Sequence, residues 1–443
     1  MNRVFKRKIY DRMLQWKEQR QGKTALLIEG ARRVGKSTIA RLFAEQEYES
    51  YLLIDFNRAS RQVTALFDDL MDMDMLFLQL QAIYHVSLVE RRSVVIFDEV
   101  QQCPKARQAI KYLVEDGRYD YIETGSLISI KKNTKDITIP SEEERVQMFP
   151  LDMEEFRWAL GDTVTMPLMR SFYEKKLPLS AAHRTKMREL RLYMLVGGMP
   201  QAINEYLDTN NLSKVDLVKR DIIRLYLDDF LKLDETGRIS ELYRNIPAQL
   251  SSNNCRYKPM QVLGQTNEDK LYELLRSMED SKTVIFQYHS NDPNVGMALT
   301  KDSSRFRIFL NDTGLFVTLA FWDKDFTENI IYQKLWSDKL SANLGYVYEN
   351  LVAQLLASAG NQLFYYTWYR DEKHRYEIDF LLSRGFKIQP IEVKSSGYAT
   401  HTSLDEFCKL FHERIDMRFL IYTKDLKVED KMIYLPIYMT PLI

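Results

Sequence analysis

The stretch that decides the fold is Thr24-Ala-Leu-Leu-Ile-Glu29 running directly into Gly30-Ala-Arg-Arg-Val-Gly-Lys-Ser37. The first six residues read as a buried strand, and Thr38–Glu45 behind them has the spacing of an amphipathic helix. A strand entering and a helix leaving is the context in which G-x-x-x-x-G-K-[ST] cradles phosphate. Gly30 and Gly35 let backbone N–H groups curl around an anion, and the helix N-terminus adds the positive end of its dipole. Lys36 would set a point charge on the β- and γ-phosphates of ATP, and the Ser37 hydroxyl would hold Mg2+. Arg33 and Thr38 belong to the same expected nucleotide contacts, although Arg32 and Arg33 suit solvent or a partner equally well.

Outward from this loop, the runs Tyr51–Asp55, Ser93–Asp98 and Asp120–Thr124 alternate with amphipathic stretches, the pattern of a parallel sheet wrapped by helices. Ligands of such sheets bind at the carboxyl edge. Val94-Val-Ile-Phe-Asp98-Glu99 supplies acid there: Asp98 to hold Mg2+ through water, Glu99 to polarise an attacking water. The acid pair favours hydrolysis over binding alone. Thr124 ends the next run and would sense the γ-phosphate, while Ser126 serves the same end or caps a helix. Arg145, behind the acidic run Glu142–Glu144, either reaches an ATP phosphate in its own or a neighbouring subunit or pairs with that run.

A second constellation closes the chain. Glu377-Ile-Asp379-Phe and Ile391-Glu392-Val-Lys394 lie on two runs joined by a turn at residues 384–386 short enough for a hairpin. Side chains alternate along a strand, so Glu392 and Lys394 share a face. Asp379 and Glu392 would bind a divalent metal through oxygen, and Lys394 would orient and help deprotonate water. Glu349, on the helical stretch 346–355, offers a third carboxylate. The plain alternative for E-x-K on a strand is a surface stripe.

The whole sequence sets bounds on these readings. Among 443 residues, 62 basic and 62 acidic side chains cancel, which excludes binding to nucleic acid through general cationic charge. With only 16 glycines and 12 prolines, turn-dense all-β architectures are disfavoured and long helices expected. Three cysteines, Cys103, Cys255 and Cys408, have neither disulfide-framework nor zinc spacing and suggest a reducing compartment. Residues 4–20 read as an amphipathic helix with Val4, Ile9, Met13 and Trp16 on one face. No run has the roughly 18 apolar residues of a spanning helix. A cytoplasmic protein that does not enter a membrane is expected.

The markers Gly30–Ser37, Phe97–Val100, Thr124–Ser126, Val196–Pro200, Asn311–Leu315, Tyr348–Asn350, Glu377–Phe380 and Ile391–Lys394 together resemble a large prokaryotic family of AAA-type ATPases carrying a C-terminal domain of unknown function. The last three also look like the core of the PD-(D/E)xK nuclease superfamily. Lys36, Ser37, Asp98 and Glu99 match the family's ATPase positions, and Glu349, Asp379, Glu392 and Lys394 match the nuclease-like pattern. The resemblance implies a winged-helix module between them. Residues 251–310 hold eight basic against seven acidic residues, so such a module has no strong electrostatic footprint, and Arg305 and Arg307 read better as packing than as phosphate contacts.

The expected fold is therefore α/β: a P-loop NTPase parallel-sheet domain over 1–150, a helical lid-like region over 151–235, a winged-helix-like region over 236–330 and a PD-(D/E)xK-like domain over 331–443. The leading functional reading is an ATPase that drives or gates a metal-dependent nuclease-like domain acting on DNA. A nucleotide-switched regulator or DNA-binding protein without cleavage competes with it. A structural interaction protein with incidental ATP binding is disfavoured by the Asp98–Glu99 pair. ATP, Mg2+, DNA and further copies of the chain are the ligands and partners these readings call for.

Overall fold

The computed structural model describes residues 3–68, 72–125, 140–252, 256–328, 330–336, 344–371 and 375–443, which leaves Ser126 and Cys255 outside the described residues. Two compact units emerge: one of residues 1–150 with 280–282, the other of 151–279 with 283–443.

The first unit is built on five parallel strands, β1 (Ala25–Glu29), β2 (Ser50–Asp55), β3 (Ser93–Asp98), β4 (Asp120–Gly125) and β5 (Glu143–Gln147), in the spatial order β2-β3-β4-β1-β5. β1, β3 and β4 are buried throughout, as a sheet covered on both faces requires. The edge strand β5, Glu-Glu-Arg-Val-Gln, carries charge that a central strand would not tolerate and an edge favours. That composition hides it from a hydrophobic reading, and Arg145 lies at the middle of the strand. The helix Ile9–Arg20 buries Ile9, Met13 and Trp16 as expected. Val4 departs from that face: it precedes the helix and is exposed.

The second unit contains a mixed eight-stranded sheet. Its strands are β6 (Val284–Ser290), β7 (Lys301–Leu310), β8 (Phe364–Tyr369), β9 (Arg375–Arg384), β10 (Lys387–Lys394), β11 (Arg418–Tyr422), β12 (Lys427–Glu429) and β13 (Met432–Pro436). Their order is β12-β13-β11-β10-β9-β8-β6-β7. The expected hairpin is present, with β9 antiparallel to β10. The expected wing is not a separate ribbon. β6 and β7 pair antiparallel, and β6 then joins β8 in parallel, so the pair forms one edge of the large sheet. Its apolar residues, including Ile308, Phe309 and Leu310, find a core there. Two short helices, Arg238–Arg244 and Ile246–Ser251, meet at Asn245, because Pro247 can begin a helix but not continue one.

Two glycine-bearing segments lock the helical part of this unit. Asp312 caps the helix Thr313–Leu319 by accepting from the Leu315 N–H at 2.8 Å, and its other oxygen accepts from the Gly198 N–H at 2.6 Å. Lys219, fully buried, donates to the carbonyls of Leu195 at 2.6 Å and Gly314 at 3.1 Å. A Cβ on Gly314 would lie 2.6 Å from the Gly197 backbone, a distance that backbone atoms cannot relieve by rotating. Gly314→Ala is expected to lower stability by about 1–3 kcal/mol, the usual cost of overpacking, read as a lower denaturation midpoint in urea.

Candidate functional site

The phosphate loop leaves β1 at Glu29 and enters the helix Lys36–Glu47 through Gly35, whose φ of 101° lies in the left-handed region. Arg33 takes φ 72° in the same turn and is exposed, as is Thr38. Gly30 is required by space: a Cβ would meet the Met148 carbonyl at 2.4 Å. Arg7, buried and not singled out by the sequence, donates to the carbonyls of Val34 at 2.9 Å and Phe149 at 2.6 Å and so braces the loop from beneath.

Lys36 is buried and its ammonium donates to the Gly30 and Ala31 carbonyls, each at 3.0 Å. Burial pulls it down to about 8, against the opposing pull of Glu99 and Asp98. The Ser37 hydroxyl donates to Asp98 Oδ1 at 2.6 Å, and the Thr124 hydroxyl donates to the same oxygen. Thr124 also accepts from the Glu99 N–H at 3.3 Å. Glu99 sits at φ 55°, a strained turn for a residue with a side chain, and its carboxylate accepts from Gln101, which the sequence did not single out. Five of the expected nucleotide residues (Lys36, Ser37, Asp98, Glu99 and Thr124) thus meet at the carboxyl ends of β1, β3 and β4. The paired hydroxyl and carboxylate oxygens suit Mg2+, which takes one or two protein oxygens and completes its shell with phosphate and water.

Arg145 is placed differently. Its guanidinium pairs with Glu143 at 2.7 Å and Glu29 at 3.6 Å. Behind it Arg107, with no solvent exposure, pairs with Glu143 at 2.7 Å and Glu123 at 3.5 Å. This charged cluster inside the sheet is invisible to periodicity, because Arg107 lies on a helix and Glu123 on a strand that reads as apolar.

In the second unit, the C-terminal acids also converge. Asp379 on β9 accepts from the Val393 N–H at 2.7 Å. Glu392 on β10 takes Lys394 Nζ at 2.9 Å on one oxygen, while its other oxygen is buried without a hydrogen-bond partner. Glu349 comes from the helix Gly345–Ser358; burial and the Asp379 charge push it up to about 7, and Arg307 opposes them. Asp379 is raised by burial, with Arg307, the Val393 N–H and Lys394 pulling it down. Burial and Asp379 likewise raise Glu392. An orphaned carboxylate oxygen beside two mutually repelling acids fits a hard cation. The acids nevertheless form no closed cage: no group of three or more His, Cys, Asp or Glu among the described residues is arranged to hold a metal ion. Arg307 and Glu377 join this cluster through their own ion pair. Glu377 had a signal in the sequence, two residues before Asp379 on the same strand face; Arg307 was singled out as a packing residue, but nothing in its spacing connects it to these acids.

Comparison with known proteins divides the chain three ways. Residues 22–157 match a family model described as an AAA domain, and residues 187–325 and 344–439 match two domains of unknown function. No curated protein matches the chain. Among solved structures, the Walker-type ATPase PABY2304 of Pyrococcus abyssi is 18% identical, covering 71% of this chain and 96% of its own, with a TM-score of 0.43. Cdc6p from Pyrobaculum aerophilum is 11% identical over 75% of this chain and 94% of its own, with a TM-score of 0.25. PCH-2 of C. elegans is 12% identical over 47% and 71%, also at 0.25. With an AAA domain folded around a complete phosphate loop, the chain is a P-loop ATPase.

The acidic cluster carries a stability signature. A carboxyl raised in the folded state adds no penalty below its unfolded value near 4.5 and a growing one as pH rises towards 7. Glu349→Gln is therefore expected to gain on the wild type across that window, reaching about 2 kcal/mol at pH 8 once partial solvent access is allowed for. Denaturant titrations at pH 4.5 and 8 measure it, and an equal difference at both would contradict the reading.

Proposed function

We propose that Lys36, Ser37, Asp98 and Glu99 carry ATP hydrolysis and that the nucleotide state of this site gates the C-terminal acidic site, which acts on DNA. The single observation behind the first part is the Ser37–Asp98–Thr124 hydrogen-bond cluster beside Lys36. On nucleotide entry Lys36 would exchange two loop carbonyls for phosphate oxygens, turning a structural tether into a substrate contact. Ser37 and Asp98 would hold Mg2+, whose chemistry is to neutralise charge developing on the phosphates. Glu99 would accept a hydrogen bond from the attacking water, with Thr124 fixing the Glu99 backbone as it does here. Gly30, Gly35, Arg33 and Thr38 would contact the nucleotide around that core, and Arg145 would contribute only after leaving Glu143 and Glu29.

For the second site, the orphaned Glu392 oxygen and the Asp379 and Glu349 carboxyls support a divalent cation, which would polarise a phosphodiester oxygen when bound. Lys394 would orient water beside it. A cleavage-free, nucleotide-switched DNA-binding role is favoured by one fact, the lack of a closed three-ligand cage among the described residues.

Turnover and binding assays separate these readings. Lys36→Ala is expected to abolish ATP binding, and Glu99→Gln to keep binding while lowering turnover at least a hundredfold; wild-type turnover in both would refute the residue roles. DNA cleavage with Mg2+ or Mn2+, lost in Lys394→Ala and on chelation, would establish the nuclease. A wild type that binds DNA but never cuts it would establish the switch instead.

A further inference from the structure

The strand pair β6–β7 carries no separate wing, and two of its side chains reach towards the acidic site. Gln287 on β6 has no solvent exposure. Its amide nitrogen donates to the Asp379 carbonyl at 2.5 Å and the Phe364 carbonyl at 3.1 Å, while its own oxygen has no hydrogen-bond partner. Those two carbonyls belong to β9 and β8, at the point where the register between the two strands shifts, between Phe364 and Tyr366. A bulge leaves ladder groups unpaired, and here a side chain from a third strand takes them up.

Cross-strand from Gln287 stands Arg307 on β7. Its guanidinium is buried, lies 5.0 Å from the centre of the Tyr365 ring and pairs with Glu377. Glu377 precedes Asp379 by two residues and so shares its face of β9. The β6–β7 pair therefore grips β9 at Glu377 through a side chain and at Asp379 through the backbone. The Asp379 carboxylate is in turn fixed from the opposite neighbour by the Val393 N–H.

We infer that Gln287 is a positioning residue of the acidic site: it fixes the β9 backbone at Asp379, so that the carboxylate is held ready for a divalent cation. The inference rests on the metal-binding reading of that site. Partners that orient a metal-binding carboxylate typically contribute about 10- to 100-fold in affinity when intact.

The test uses the full chain without nucleotide and Mn2+ as the probe, followed by calorimetry, with Asp379→Asn assigning the signal to this site. Gln287→Met keeps the length of the side chain and removes its donor; Gln287→Leu is the second variant. Since the Gln287 oxygen makes no bond, the loss on substitution is confined to the two carbonyl contacts. Mn2+ affinity is expected to fall about tenfold in both, with ATP affinity at the phosphate loop close to wild type; the two unmet carbonyls lower the melting temperature, and the titrations are run well below it. Variants that bind Mn2+ within twofold of wild type overturn the positioning role and leave the metal site standing. A fall in Mn2+ affinity matched by an equal fall in ATP affinity at the phosphate loop also overturns it, because general loosening of the chain then accounts for both. A wild type with no Asp379-dependent Mn2+ binding overturns the metal reading and the inference together.

Discussion

One carboxylate organises the nucleotide-binding edge. Asp98 ends β3, and the hydroxyls of Ser37 and Thr124 both donate to it. Those hydroxyls belong to the helix after β1 and to β4, so a single oxygen ties three neighbouring parts of the sheet at its carboxyl end. Parallel pairing is the constraint beneath this, because only parallel strands deliver all their ends to the same edge. Burial makes the tie strong: Asp98 is nearly sealed from solvent, where an unmet acceptor would cost more than the bond itself contributes.

The second unit relies on polar groups of the same kind, set deeper. Lys219, Asp216 and Asp312 are almost without solvent exposure, and each is surrounded by partners: helix carbonyls, the Thr318 hydroxyl, Arg220 and backbone N–H groups. Such networks add modestly to stability, yet removing one member leaves a buried group unmet. They explain why Val196–Pro200 and Asn311–Leu315, far apart in sequence, read as distinctive motifs without carrying chemistry. Gly314 is required because the Gly197 backbone passes against it, Gly197 because the Asp312 carboxylate does, and Gly198 because the Leu151 backbone does.

The sequence made the parallel sheet legible because its central strands are continuous apolar runs and its loop is dense with glycine. The acidic cluster was legible for a different reason: Asp379, Glu392 and Lys394 share one hairpin, so alternation alone sets their faces. Less could be read where a strand carries charge, as in β5, or where its partners lie far away, as in β6 and β7. The local pattern of that pair fits a wing and a sheet edge equally; only the pairing of Tyr288 and His289 with Phe364 and Tyr365 decides between them. Arg107 with Glu123, and Gln287 with Asp379, are contacts that no spacing rule connects.

The placement of β6 and β7 bears on how such chains can be assembled. The match to a C-terminal domain begins at residue 344, yet the sheet beneath the acidic site begins at residue 284. A segment transplanted or expressed from residue 344 onward would arrive with the edge of β8 unpaired and the carbonyls of Phe364 and Asp379 open, a surface that invites pairing with foreign strands. The structural unit of this half is thus larger than the segment matched as a domain, and recombination that respects the fold must carry both pieces together.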